Sequence, residues 1–181
     1  MTQDGIDFLL DQHQQVEKLL DQVKNSVGEA RQASFDELRQ LLATHEAAEE
    51  LILRPVTRRS VEGGDEIADA RIAEENQAKD VLSQLEKLDV ASVEFTTTFE
   101  TFAADVQKHA HNEETYEFPS IRASQDSEDL ARLETALATA EKVAPTHPHP
   151  SARSTTATAV LGPFAALLDK ARDAIGKATS D

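Results

Sequence analysis

Two stretches of the chain, HEAAEELILRP from His45 to Pro55 and HAHNEETYEFP from His109 to Pro119, share the pattern H-x3-EE-x4-P. On a helix, His and Glu four residues apart lie one turn above the other on the same face, so each H-x3-E aims an imidazole and a carboxylate at one point. These two side-chain types around an inward cavity suit iron or manganese, and also zinc. The chain has no cysteine, so thiolate chemistry and Cys-ligated zinc are excluded, and any metal must sit on His and carboxylates.

The elements that must position these residues are helical. Apolar residues recur at three- and four-residue steps along nearly the whole chain, and period-two alternation is almost absent. Leu9, His13, Val16, Leu20, Val23 and Val27 mark a first helix over about Ile6–Val27. Ser34 and Glu37 form a capping-box pattern that predicts the start of a second helix. Its stripe runs through Phe35, Leu38, Leu42, His45, Glu49 and Ile52 until Pro55 ends or kinks it. A third helix is expected over about Glu66–Leu88, with Arg71, Glu75, Ala78, Leu82 and Leu85 inward. A fourth opens near Ser92 and carries Phe95, Phe99, Phe102, Val106, His109, Glu113 and Tyr116 as far as Phe118-Pro119. Short connections favour an all-α, up-down-up-down four-helix bundle over about residues 1–122. Residues 123–181 then form a C-terminal extension: a fifth helix with Leu130, Leu133, Leu137 and Ala140 on one face, a Pro/Ser/Thr-rich linker at about 144–160, and a last amphipathic helix over about Pro163–Lys177.

His13, His45, Glu49, Glu75, His109 and Glu113 all fall on inward positions that should be apolar. Burying a carboxylate costs several kcal/mol unless it is paired or bound to a cation, and Arg71 is the one cation that this reading places nearby. A single His on an apolar face is most simply a core residue; the repeated pair in matching register points instead to a metal centre. Each half supplies one side chain from its first helix and an H-x3-E pair from its second, giving three His and three Glu. Two ions bridged by Glu49 and Glu113 fit that set best.

These residues resemble the hemerythrin-like family, also called HHE cation-binding domains, whose pattern is H…HxxxE…H…HxxxE. The resemblance covers about residues 1–120, and the C-terminal PHP linker and helix look like tails of actinobacterial members. It implies a four-helix bundle around a non-haem centre of two iron ions, oxo- or hydroxo-bridged, with manganese as the other metal. One departure stands out: where the family has a third-helix His, this chain has AEENQAK. Glu75 takes that place because it shares a row with Ala78 and Leu82, with Glu74 as the fallback. Five-His sites of the family imply reversible O2 binding, whereas a carboxylate-rich site resembles di-iron enzymes. The function implied is therefore redox chemistry on peroxide, nitric oxide or O2, with a protective di-iron oxidoreductase as the enzyme reading. The alternatives are a non-catalytic O2, NO or iron binder or sensor, and an acidic interaction module with a degenerate site.

Around this set, each His is expected to give its other ring nitrogen to an outer partner such as Glu46, Gln12 or a carbonyl. Tyr116 reads as a phenolate ligand, a donor to bound oxygen, or plain core. Glu50 and Glu114 point away from the ligand row and suit solvated positions or outer partners of the ligands, His111 is off the stripe and suits an exposed or outer position, and His147 and His149 belong to the linker. The net charge of −16, from 34 acids against 18 Lys and Arg, opposes nucleic acid and anionic membranes. The acidic N-terminus MTQDGIDFLL lacks secretory character, so a cytoplasmic protein is expected, as monomer or homodimer.

Overall fold

The computed structural model of the protein describes residues 4–147. Among them it forms α1 (Gly5–Asn25), α2 (Gly28–Ala48), α3 (Arg54–Ser60), α4 (Gly64–Leu85), α5 (Val93–Asn112), α6 (Phe118–Ser124) and α7 (Ser127–Val143). Five-residue π-helical turns, Glu49–Leu53 and Glu113–Glu117, join α2 to α3 and α5 to α6. The long helices α1, α2, α4 and α5 form the all-α bundle expected from the sequence. The final helix expected over Pro163–Lys177, His149 and most of the linker lie outside the described residues.

Local chemistry sets the helix starts. The Asp4 carboxylate accepts from the Ile6 and Asp7 N–H groups at 2.9 and 2.8 Å, Ser92 Oγ accepts from Phe95 N–H at 3.0 Å, and Asp126 caps α7 in the same way. The second helix, however, begins at Gly28 and not at Ser34. Gly28 has φ of +58°, a conformation that costs other L-residues about 1–2 kcal/mol, so the chain turns there directly out of α1. Ser34 therefore sits inside α2, donating to the Ala30 carbonyl at 3.0 Å. Val27, expected on the buried stripe, lies in this turn and is 81% exposed.

The core has two apolar bodies. One contains Val16, Leu20 and Val23 of α1, Phe35, Leu38 and Leu42 of α2, and Phe95, Phe99, Phe102 and Val106 of α5. The other contains Ile6 and Leu9 of α1, Ile52, Leu53 and Val56 around α3, Phe118 and Ile121, and the Leu130–Leu133–Leu137–Ala140 face of α7. Along α1, His13 lies between Leu9 of one body and Val16 of the other, as His45 does between Leu42 and Ala48. The polar residues thus form a layer between two hydrophobic cores. Each fully buried Phe or Leu contributes about 1.5–3 kcal/mol, which offsets a polar layer that costs several kcal/mol per buried ion.

The return from α3 into α4 is tight. A Cβ on Gly64 would lie inside van der Waals contact of the Thr57 carbonyl oxygen and 2.9 Å from its carbonyl carbon. Gly64→Ala is therefore expected to destabilise the protein by about 1–3 kcal/mol despite the better helix propensity of alanine. A urea melt checks this; an unchanged midpoint would show that the α3–α4 corner yields freely.

Candidate metal centre

The shared H-x3-EE-x4-P pattern has a backbone consequence. Pro55 and Pro119 lack an N–H, and in an α-helix their rings would press on the carbonyls of Leu51 and Thr115. The helix widens instead: Arg54 N–H reaches the Glu49 carbonyl and Phe118 N–H the Glu113 carbonyl, each five residues back. An i→i+5 turn shifts the register by about one residue relative to an α-helix. As a result Arg54 and Glu117 face inward and are buried, while Tyr116 is turned out to 64% exposure. The sequence stripe that placed Tyr116 beside the site is thereby corrected, and its roles as ligand, donor or core residue fall away.

The six residues singled out by type and spacing converge. Ligand-capable atoms of His13, His45 and Glu49 lie within 4.8 Å of one another, and so do those of Glu49, Glu75, His109 and Glu113. Glu49 belongs to both groups. His13 Nε2 is 3.4 Å from Glu113 Oε2, His45 Nε2 is 3.7 Å from Glu49 Oε2, and His109 Nε2 is 3.3 Å from Glu113 Oε1. These approaches leave His13 Nε2, His109 Nε2, Glu49 Oε1, Glu75 Oε2 and Glu113 Oε2 buried without a hydrogen-bond partner. A buried polar atom left unpaired costs about 1–3 kcal/mol, so these five, with Glu117 Oε2 also unpartnered beside Arg54, make a donor set fitted to a cation.

Each imidazole is fixed from behind. His45 Nδ1 meets Gln12 Oε1 at 2.7 Å, His13 Nδ1 meets Glu114 at 2.8 Å, and His109 Nδ1 meets Glu74 at 2.9 Å. Such outer bonds orient a metal-binding ring and direct its Nε2 inward. Gln12 was expected in this role; Glu74, the fallback ligand, also takes it. Gln12 in turn donates to Glu141 of α7 at 2.6 Å, so the extension helix reaches His45 through a single side chain. Glu50 pairs with Lys79 at 3.0 Å, His111 is exposed, and His147 meets Glu86 at 3.0 Å.

Burial pushes His45 down to about 3, helped by the nearby His13, which keeps its ring neutral and able to donate a lone pair to a metal. Burial raises Glu49 well above the usual carboxylate range, and the Glu113 charge raises it further. For Glu113, burial works upward but His109 and Arg54 outweigh it and hold the carboxyl low. For His109, burial works downward but the Glu113 carboxylate prevails and raises it. Burial also lifts Glu46 to about 7 against the pull of Lys79.

The cation in this layer is Arg54, not Arg71. Arg71 lies on the flank of α4 and pairs with Glu74 at 2.9 Å, whereas Arg54 is 1% exposed. Its Nη2 is 3.1 Å from Glu49 Oε2 and 2.9 Å from Glu75 Oε1, and it also bonds Glu113 Oε1. Nη1 donates to Glu117 Oε1 at 2.6 Å, and the Thr57 hydroxyl donates to the same oxygen. α-Helical periodicity hides both Arg54 and Glu117. The readable signal was the proline that closes each copy of the pattern.

A sequence profile of the hemerythrin HHE cation binding domain matches residues 4–121. The chain belongs to this family. An uncharacterised hemerythrin-like protein of Schizosaccharomyces pombe is 28% identical over 138 residues, 75% of this chain and 68% of that one. A crystal structure of a hemerythrin HHE cation binding domain-containing protein from Mycobacterium kansasii matches with a TM-score of 0.69 at 20% identity, covering 94% of this chain and 99% of that chain. At that identity the likeness concerns the fold. α7 of this hemerythrin-like chain lies beyond the profile, yet it completes the second core body and carries Glu141 to Gln12.

A small cavity adjoins the hemerythrin-like centre. A cavity of about 80 Å³ lies against His13, His45, Glu75 and His109, walled by Val16, Leu42, Ala78 and Val106. That is several times the roughly 10–15 Å³ that one water needs, and it suits molecules of a few atoms. Among the described residues no helix is long and apolar enough to cross a membrane.

Proposed function

We propose that the chain is a non-haem iron protein whose centre reacts with a small oxidant, peroxide, nitric oxide or O2, and that it acts as a redox-protective enzyme. The observation that carries the reading is the layer of unpartnered imidazole and carboxylate atoms brought together from four helices, with a cavity of a few atoms' volume beside its His13, His45, Glu75 and His109. His13, His45, Glu49, Glu75, His109 and Glu113 would hold up to two ions, with Glu49 shared between the two groups. Mixed imidazole and carboxylate donors suit iron, with manganese as the competing metal. When bound, iron supplies an open coordination position and one-electron steps.

The chain's own residues do the rest. Gln12, Glu114 and Glu74 hold the three rings in the orientation that points Nε2 inward. Neutral His45 supplies a lone pair without first losing a proton. Val16, Leu42, Ala78 and Val106 supply the apolar part of the cavity wall beside the centre. Glu75, standing where relatives of the pattern carry a His, adds negative charge that favours ferric over ferrous iron.

The test is elemental analysis of untagged protein followed by turnover. At least one iron per chain is expected, rising toward two when iron is supplied, and peroxide or nitric oxide should be consumed many times beyond the iron present. Consumption that stops at stoichiometry supports a carrier or sensor in place of an enzyme. Glu75→Ala should lower iron retention by about 10-fold or more. A well-folded protein that stays free of metal after iron is offered, with Glu75→Ala behaving as wild type, would support the interaction-module reading.

A further inference from the structure

A buried arginine within a set of metal-ligating carboxylates poses a chemical problem. The guanidinium remains protonated at any physiological pH, so it can leave a cation site only by moving. Arg54 Nη2 donates to Glu49 Oε2 and Glu113 Oε1, and Nε of the same guanidinium donates to Glu75 Oε1 at 2.9 Å. Those are three of the four residues in the group that also contains His109, while the group of His13, His45 and Glu49 touches Arg54 through Glu49 alone.

The remaining oxygens complete the argument. Glu49 Oε1, Glu75 Oε2 and Glu113 Oε2 are each free, one per carboxylate. With Arg54 in place each carboxylate therefore has a single oxygen to give, whereas a carboxylate that bridges two ions uses both. Glu117 lies outside both groups. It holds Arg54 Nη1 at 2.6 Å through Oε1, is itself held there by Thr57, and keeps Oε2 unpartnered, so it offers the guanidinium a partner outside the two groups.

We propose that Arg54 acts as a built-in cation that makes the two metal positions unequal, so that the first ion binds with the guanidinium in place and the second enters only as Arg54 withdraws toward Glu117. The inference rests on the metal-centre reading above. It assigns Arg54 and Glu117, neither of them a ligand, the role of setting how many ions the chain retains at a given free iron concentration.

Anaerobic calorimetric titration of the full chain with Fe(II) tests it, using wild type, Arg54→Lys and Glu117→Gln. Lysine keeps the charge but is a compact point donor without the planar fork that reaches several carboxylates at once. Glutamine can still accept from Arg54 and Thr57, which favours folding, but it offers the displaced guanidinium no charge. Wild type should bind in two steps separated by at least tenfold. Arg54→Lys should strengthen the second step by about tenfold or more, and Glu117→Gln should weaken it, with the first step unchanged in both. If Arg54→Lys fails to fold, shown by loss of the helical circular dichroism signal, Glu117→Gln alone decides. Two ions taken up in one step of equal affinity, or a second step that ignores the substitutions, would overturn the inference and leave the metal centre standing. No iron uptake by wild type would remove the metal-centre reading itself.

Discussion

Glu49→Gln is expected to lower metal retention by at least about a hundredfold while leaving the metal-free fold close to its original stability. Loss of an outer partner of a ligand already costs about 10–100-fold in metal affinity, and Glu49 is the one residue present in both groups of convergent atoms. The amide replaces a charged oxygen donor by a neutral one of the same shape. Folding should be nearly indifferent for a separate reason: burial and the Glu113 charge keep the Glu49 carboxyl well above its ordinary range, so the protonated acid and the amide present similar groups to the core. The Gln oxygen can still accept from Arg54 Nη2, which stands 3.1 Å from Glu49 Oε2. Metal titration and a thermal melt of the same sample read the two effects apart. Undiminished iron content would show that Glu49 is not a ligand, and collapse of the fold would show that its charge serves Arg54 more than a metal.

Arg54→Met should destabilise the metal-free protein by about 3–5 kcal/mol, the cost of removing one partner from a buried ion pair. Set against the roughly 5–15 kcal/mol that holds a typical domain together, this is a large share of the total. Methionine fills much of the volume, so the loss comes from charge: Glu75, Glu113 and Glu117 are all at 1% exposure or less and lose their common cation, and the Glu49 carboxyl loses its donor. Added Fe(II) should recover most of it, because a divalent ion can satisfy carboxylates that the guanidinium no longer holds. A chemical denaturation midpoint measured with and without Fe(II) checks the result. A variant as stable as wild type without metal would mean that the carboxylates share protons among themselves and need no cation.

Much of the site was legible because its signal is periodic. His45 with Glu49 and His109 with Glu113 are local pairs on regular helix, and the stepping of Leu9–His13–Val16 and Glu75–Ala78–Leu82 places the remaining two residues on inward faces. Helix geometry alone carries such residues to one layer once the apolar stripes pack. The same logic failed where the helix stopped being regular. Extrapolating α-periodicity through Glu113 put Tyr116 inside, and the π turn exchanged it for Glu117. Ser34 and Glu37 carry a capping pattern, but Gly28 had already turned the chain, and the stripe of Phe35 and Leu38 continued a helix that was under way.

The sequence by itself determined the helical class, the stripes that build two apolar bodies, and the identity and register of six residues able to act as ligands, since each of these follows from residue type and short-range spacing. Only the tertiary structure decided what neutralises them and what holds them. Arg54 meets Glu113 and Glu117 from a different helix. Glu114 reaches His13 across the bundle, and Glu141 reaches Gln12 from a helix beyond the family profile. Such pairings join positions far apart in the chain, where spacing carries no information, and those of Arg54, Glu114 and Glu117 depend on two short π turns whose shift of about one residue selects which side chains face the centre.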